Sequence, residues 1–574
     1  MSDTINSDTT NYGERLADLL PPEVGLIADA DPVLFGRSLV RAAMSAATNP
    51  WNVTRTTMSF MSTLTEVGRA TAARALGRDV EAPVPIDGDK RFADDAWNVN
   101  PGFFALQQVY AAGARYLRQL LRDAALDDAT RRKAEFALDF TLDVAAPTNA
   151  LLTNPAALKR AFDTGGLSLV RGMRNFVNDA LHNGGRPQQV DTSPFELGKN
   201  LAVTPGNVVF RNDLMELIQY EAQTDEVHKT PILCSPPWIN KYYIMDLAPG
   251  KSFVEWAVQH GHTVFMISYR NPDESMRDTT MDDYLVHGPH TAMDVIADIT
   301  GESKVNIVGL CLGGALTTMM IAYLAAIGED RVNSMTLLNT LLDYSDPGPL
   351  GVFTDLATVE ALEAKMRKKG YLEASEMRGT FDALRANDLI FNYLVHNWLQ
   401  GEQPPAFDIL TWNADSTNMP AEMHSWYLRS CYLNNELARG EMELAGEKLS
   451  LDQVQCDTYI VAAQNDHIAP WRASYKSTQL LGGDVRFVLS SRGHIAGVVN
   501  PPSPKAHVWK SSDTPPDPDV WWEQAEESQR SWWEDWSEWI SERGGEMAPA
   551  RAVGSTRYPP IDKAPGQYVR ATAD

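Results

Sequence analysis

The run Val305-Asn306-Ile307-Val308-Gly309-Leu310-Cys311-Leu312-Gly313-Gly314 constrains the fold more than any other stretch of the chain. Its apolar residues up to Leu310 predict a buried strand, and helix formers follow Gly314. A Gly-x-nucleophile-x-Gly turn between a strand and a helix is a nucleophile elbow, in which small flanking residues let the chain turn sharply and hold the reactive atom at the strand end. The N–H groups that open the helix favour a thiolate and can donate to an oxyanion. Taken alone, Cys311 also fits a small apolar residue packed in a core, as free cysteine often is. The uncharged stretch Ile307–Gly328 is long enough to span a bilayer. Three glycines at one end, Thr317 and Thr318, and an acidic flank at Glu329 and Asp330 instead favour a buried strand-turn-helix unit.

An elbow of this kind expects an acid and then a histidine downstream, each following a strand. After the apolar run Thr458–Ala462 comes Gln464-Asn465-Asp466-His467-Ile468-Ala469-Pro470, a turn that presents Asp466. After Val485–Leu489 comes Ser490-Ser491-Arg492-Gly493-His494-Ile495-Ala496-Gly497, where two glycines leave room around His494. Singly, Asp466 reads as a helix cap and His494 as a surface-loop residue. In this order and context they form a triad with Cys311. His494 is the expected base that takes the thiol proton, Asp466 orients it, and the thiolate attacks an acyl carbonyl. His467, beside the acid, is the alternative base. Storing an acyl group on sulfur costs little when the donor is itself a thioester. A cysteine therefore suits transfer from coenzyme A to an alcohol, without excluding hydrolysis.

At 574 residues the chain has room for a large core and a second folded region. The helical spacing of apolar residues from about Asp31 to Asn183 and the Asn183-Gly184-Gly185 break predict a mainly helical N-terminal domain, 1–195. Beyond it, short apolar runs alternate with helical stretches, the pattern of a parallel sheet wrapped by helices, here an α/β-hydrolase fold over 196–574. Expected strands are 231–234, 263–268, 305–310, 335–338, 458–462 and 485–489, with an insertion at about 342–437 forming a helical cap over the cysteine. Near the C-terminus, Trp532, Trp536 and Trp539 fall on one helix face, which either buries against its own domain or touches a polymer.

A formal charge of −25 argues against nucleic-acid binding, which relies on Lys and Arg. Cys234, Cys431 and Cys456 read as packing residues, and the spacing of the four cysteines fits neither a disulfide framework nor a metal site. Without a Gly-rich dinucleotide fingerprint or a metal cluster, no cofactor is expected. The first residues lack a basic and apolar leader, so a cytoplasmic location is expected.

The elbow Gly309–Gly314 resembles that of the polyhydroxyalkanoate synthases, whose lipase-like box carries cysteine in place of serine. The likeness extends to Pro236-Pro237-Trp238-Ile239-Asn240-Lys241-Tyr242-Tyr243, Ser268-Tyr269-Arg270-Asn271-Pro272, Asn387-Asp388-Leu389-Ile390, Phe407-Asp408-Ile409-Leu410-Thr411-Trp412-Asn413, Gly493–Gly497 and Asn500-Pro501-Pro502. It runs from about Asp89 into the C-terminal tail, with Tyr269 and Ala315 standing where the family usually has tryptophan and threonine. The resemblance implies a single-subunit synthase that polymerises (R)-3-hydroxyacyl-CoA into polyester with release of CoA; 3-hydroxybutyryl-CoA is the expected monomer, and Phe407-Asp408-Ile409-Leu410, which looks as much like medium-chain as short-chain enzymes, leaves the longer monomers open. It implies Cys311 as nucleophile, His494 as base and Asp466 as acid, the aspartate also being proposed in the family to help activate the incoming hydroxyl. A homodimer in contact with the growing chain and the surface of polymer inclusions is implied as well. Expected oxyanion donors are the backbone N–H groups of Leu312 and of Trp238. Arg385 and Arg270 are candidates for the CoA phosphates, each with the alternative of a structural ion pair. The rival readings are a cysteine thioesterase with the same elbow and a noncatalytic inclusion-binding scaffold.

Overall fold

The computed structural model describes residues 32–86 and 88–572. The leader reading and the first thirty-one residues of the expected N-terminal domain lie outside them. The described residues divide into two compact units: those up to Asp191 together with Arg378–Pro405, and Thr192–Met377 together with those from Ala406 onward.

The first unit is helical: α1 (Pro32–Ala47), α2 (Pro50–Ala75), α3 (Pro101–Arg122), α4 (Asp128–Val144), α5 (Pro155–Asp163) and α6 (Leu167–His182). Three of these helices open on the dipeptide Asn-Pro. In each, the asparagine side chain accepts from a backbone N–H of the first turn while proline occupies the position whose N–H needs no partner: Asn49 from Asn52 at 3.3 Å, Asn100 from Gly102 at 2.9 Å, and Asn154 from Ala157 at 3.0 Å. Small residues let α1, α3 and α4 approach closely, with Ala42, Ala114, Ala134 and Leu138 in one buried cluster.

The expected insertion at 342–437 is not one piece, because Arg378–Pro405 belongs to this helical unit. Phe140 of α4 shares a core with Ala383, Ala386, Ile390 and Phe391. Asn387 donates to Asp143 at 2.8 Å, and Arg91 reaches the same carboxylate at 3.0 Å. A side chain at Gly172 of α6 would collide with the carbonyl of Trp398, so glycine is what allows that approach. The Trp398 indole donates to Asp179 at 2.8 Å.

The second unit is built on an eleven-stranded sheet. Its strands are β1 (Gly206–Arg211), β2 (Met215–Tyr220), β3 (Ile232–Ser235), β4 (Val264–Tyr269), β5 (Val305–Leu310), β6 (Val332–Leu338), β7 (Asp457–Ala463), β8 (Val485–Ser490), β9 (Val508–Lys510), β10 (Glu526–Ser528) and β11 (Asp562–Lys563), in the spatial order β10-β9-β8-β7-β6-β5-β3-β4-β2-β1-β11. The six strands from β8 to β4 run parallel, and all six coincide with the runs expected from sequence. Both edges are completed by antiparallel strands that the sequence reading did not anticipate. In β1–β2 the reason is a buried charge. Glu216 points inward, accepting from Arg211 Nε at 2.8 Å and from the backbone N–H groups of Gln567 and Tyr568, each at 3.0 Å, so β2 lacks the apolar signature of its neighbours.

Side chains on the parallel strands alternate between two cores. Val305, Ile307, Phe265, Ile267, Ile460 and Phe487 join one cluster; Val308, Leu310, Val264, Met266, Val461 and Val488 join the other. Ile307–Leu310 is thus the end of a buried strand, followed by α7 (Leu312–Ala326), and among the described residues no helix is long and apolar enough to cross a membrane. The tryptophan face also buries: on the late helix Trp532–Ser541, Trp532, Trp533, Trp536 and Trp539 pack beneath the sheet in the second cluster.

Asn100→Ala removes the acceptor for the amides of Gly102 and Phe103 and is expected to cost α3 about 1 kcal/mol. The loss should appear as faster hydrogen exchange of the first turn of α3, with Asn100→Asp exchanging as the unaltered protein does.

Candidate active site

Cys311 ends β5 with φ +52° and ψ −116°, a backbone state costly for a residue with a side chain. The three glycines around it make the state attainable. A Cβ on Gly309 would overlap Gly314, one on Gly313 would overlap the carbonyls of Ser235 and Pro236, and one on Gly314 would overlap the Thr340 hydroxyl. Strand, turn and helix therefore pack backbone to backbone. The turn is fastened by the Cys311 N–H donating to Leu338 O at 2.8 Å and by the Thr340 hydroxyl donating to Cys311 O at 3.2 Å. Cys311 is half-buried and touches both core clusters, as a residue at the sheet rim must.

Asp466 and His494 follow β7 and β8 and stand at the same C-terminal rim. His494 Nδ1 and Asp466 Oδ2 are 2.6 Å apart. The other carboxylate oxygen accepts from the N–H groups of Ile468 at 2.8 Å and Ala469 at 2.9 Å, so the acid is fixed before it meets the imidazole. Burial works against a charged His494. The Asp466 charge and its hydrogen bond, with the nearby Cys311 sulfur adding to them, override that effect and raise the imidazole to about 10. With Nδ1–H engaged by Asp466, Nε2 is the ring atom left for the thiol.

Three supports of His494 were not anticipated from sequence. Asn339, following β6 in a left-handed conformation that asparagine tolerates, donates its side-chain amide to the His494 carbonyl. The indoles of Trp532 and Trp533 donate to the carbonyls of Gly497, at 3.0 Å, and Val498, at 2.9 Å, at the far end of the short helix that His494 opens. Gly497 is required because a Cβ there would come within 2.6 Å of Ala463, whereas Gly493 meets only an ordinary contact. An Asn just past a strand and tryptophans more than thirty residues downstream are signals that no short motif carries.

The Leu312 N–H stands at the first helical position of α7, and Trp238 lies in the loop after β3, whose carbonyls abut Gly313. Tyr344, Tyr427 and Tyr432 form a mutually packed cluster with centroids 4.9–6.1 Å apart. Burial above all holds the hydroxyls of Tyr344 and Tyr432 above the usual phenol range, with Cys311 among the nearby groups adding to it.

Arg270 is paired with Asp273 at 2.6 Å, and Arg385 with Asp388. Both show the structural ion pair named as the alternative to phosphate binding. Cys234 and Cys431 are buried, and burial pushes both thiols up, as it does Cys456, to about 12.

Residues 88–257 match the family model described as the N-terminus of poly-beta-hydroxybutyrate polymerase (PhaC), and residues 240–501 match that of the alpha/beta hydrolase fold. The chain is 42% identical to the poly(3-hydroxyalkanoate) polymerase of Methylorubrum extorquens, over 94% of this chain and 90% of that one. It is 44% identical to the poly(3-hydroxyalkanoate) polymerase subunit PhaC of Cupriavidus necator, over 86% and 85%. It is also similar to the corresponding subunit of Rhizobium meliloti, with 41% identity over 97% and 92%. Among solved structures, a hydrolase from Pseudomonas aeruginosa aligns with 52% of this chain and 94% of its own, at 14% identity and a TM-score of 0.32. By sequence along nearly its whole length, the chain belongs to the poly(3-hydroxyalkanoate) polymerase family.

Proposed function

We propose that this protein is an acyltransferase that polymerises (R)-3-hydroxyacyl-CoA, with 3-hydroxybutyryl-CoA as the preferred monomer, through a covalent thioester on Cys311. The observation that carries the reading is the 2.6 Å bond between His494 Nδ1 and a doubly anchored Asp466, at the same sheet rim as the Cys311 elbow.

The Cys311 thiolate, its proton held by the His494 imidazolium, attacks the thioester carbonyl, whose oxygen becomes an anion facing the N–H groups of Leu312 and Trp238. As the intermediate collapses, the bond to the CoA sulfur breaks, and that sulfur leaves with the proton from His494. The 3-hydroxyl of an acyl group then gives its proton to His494 and attacks the Cys311 thioester. An ester forms and the thiolate–imidazolium pair of Cys311 and His494 returns. Thioester exchange onto sulfur is near thermoneutral, while ester formation from a thioester runs downhill, so each turnover conserves the acyl activation until the polymer bond is made. Water in place of the hydroxyl yields a free acid, the branch that separates a thioesterase from a polymerase. The reading needs no metal or redox cofactor, and it places the enzyme in the cytoplasm on polymer inclusions, as a homodimer, on the strength of the family alone.

Cys311→Ala is expected to release no CoA from 3-hydroxybutyryl-CoA while the unaltered protein converts it to polymer. Free hydroxy acid from the unaltered protein, measured by separating acid from polymer, points instead to a thioesterase. Asp466→Asn removes the carboxylate that sets the tautomer and is expected to lower kcat by about 10²- to 10⁴-fold.

The pairing also links stability to pH. Because the folded His494 titrates near 10 and an unfolded histidine near 6.5, the stabilisation is complete below about pH 6.5 and is lost as pH rises through about 10. The gap in thermal midpoint between the unaltered protein and Asp466→Asn should therefore be widest at neutral pH and below, and narrow above pH 10.

A further inference from the structure

Trp238, the second amide donor of the proposed reaction, sits in a loop held from two directions. On one side the carbonyls of Ser235 and Pro236 rest against Gly313 of the elbow. On the other, residues 412–417 grip the loop at successive points. The Thr417 hydroxyl donates to Trp238 O at 3.1 Å, the Trp412 indole donates to Lys241 O at 2.7 Å, and the Tyr243 hydroxyl donates to Asp415 at 3.0 Å. Asn240 and Ser416 add an antiparallel bridge. The Trp238 ring is wedged edge-on between Tyr427, at 5.5 Å, and Tyr284, at 6.1 Å.

The two peptide planes flanking Trp238 share one Cα. With the ring wedged, the carbonyl plane bonded to Thr417 and the chain pinned again at Asn240 and Lys241, the plane bearing the Trp238 N–H has little freedom to swing. Thr417 is 4% exposed and Trp238 2%, so their bond forms away from water, where losing it leaves a buried carbonyl without its partner. An oxyanion donor acts through placement, and a shift of about 1 Å in a catalytic group can cost on the order of 10²-fold.

We propose that Thr417 is a positioning residue for acyl transfer: by holding the Trp238 carbonyl it aims the adjacent N–H at the oxygen that becomes negatively charged on Cys311 acylation. This rests on the reading of Cys311 as nucleophile and Trp238 as donor. It assigns to the polymerase reaction a residue that never touches the reacting atoms, and it makes residues 412–417 part of the oxyanion apparatus.

The test compares Thr417→Val, which keeps shape and removes the hydroxyl, with Thr417→Ser, which restores it. Each is assayed for CoA release from 3-hydroxybutyryl-CoA and for alkylation of Cys311 by iodoacetamide, a displacement at carbon that forms no oxyanion. Thr417→Val is expected to lower kcat by about 10-fold or more with KM within about 2-fold, to leave the alkylation rate unchanged, and to be rescued by Thr417→Ser. Unchanged kcat in Thr417→Val overturns the proposal. So does a parallel fall in kcat and alkylation, which marks a general disturbance of the thiol. Undiminished CoA release by Cys311→Ala overturns the underlying reading instead, and does so independently of position 417.

Discussion

Backbone contact between Gly313 and the carbonyls of Ser235 and Pro236 is the constraint from which the rest of the site follows. It lets α7 start directly beside the end of β3, forces Cys311 into its left-handed conformation at the rim of the sheet, and brings the Trp238 loop beside the first amide of the helix. A side chain at Gly313 would push β3 and α7 apart, and the thiol and both proposed amide donors would lose their common centre. The energy that holds so strained a turn comes from its surroundings. Two apolar clusters meet at Cys311, one on each face of a sheet whose central strands are buried throughout.

The histidine side of the site is held by different means. His494 opens a short helix that could not fix a side chain unaided, and its carbonyls are bonded by Asn339 and by the indoles of Trp532 and Trp533. The tryptophan helix is itself anchored by Asp535, which is buried and accepts from Tyr459 at 2.8 Å, Arg486 at 2.7 Å and Lys510 at 2.8 Å. The tryptophan helix is thus tied on one side to β7, β8 and β9 and on the other to the short helix that His494 opens. That arrangement gives the C-terminal tryptophans a task inside their own unit.

The parts of this site that are legible in the sequence share one property: each is specified by residues adjacent in the chain. The elbow is spelled by Gly309 to Gly314, and Asp466 and His494 each follow an apolar run whose burial on both faces makes it unmistakable. What escaped notice depends on distant residues. The β1–β2 hairpin hides its strand pattern because Glu216 is buried against Arg211 and the chain near Tyr568. The piece Arg378–Pro405 sits within an expected cap insertion, yet its apolar residues complete the core around Phe140. Asn339 and Thr417 act through single hydrogen bonds to backbone carbonyls, which leave no periodicity to read.

The account's central claim is that an acyl group is carried on Cys311. The most direct measurement is mass spectrometry of the peptides of protein quenched in acid moments after mixing with 3-hydroxybutyryl-CoA. The account predicts a hydroxyacyl adduct, labile to hydroxylamine, on the peptide containing Cys311. Turnover with that peptide unmodified, or an adduct confined to Cys234, Cys431 or Cys456, would contradict it.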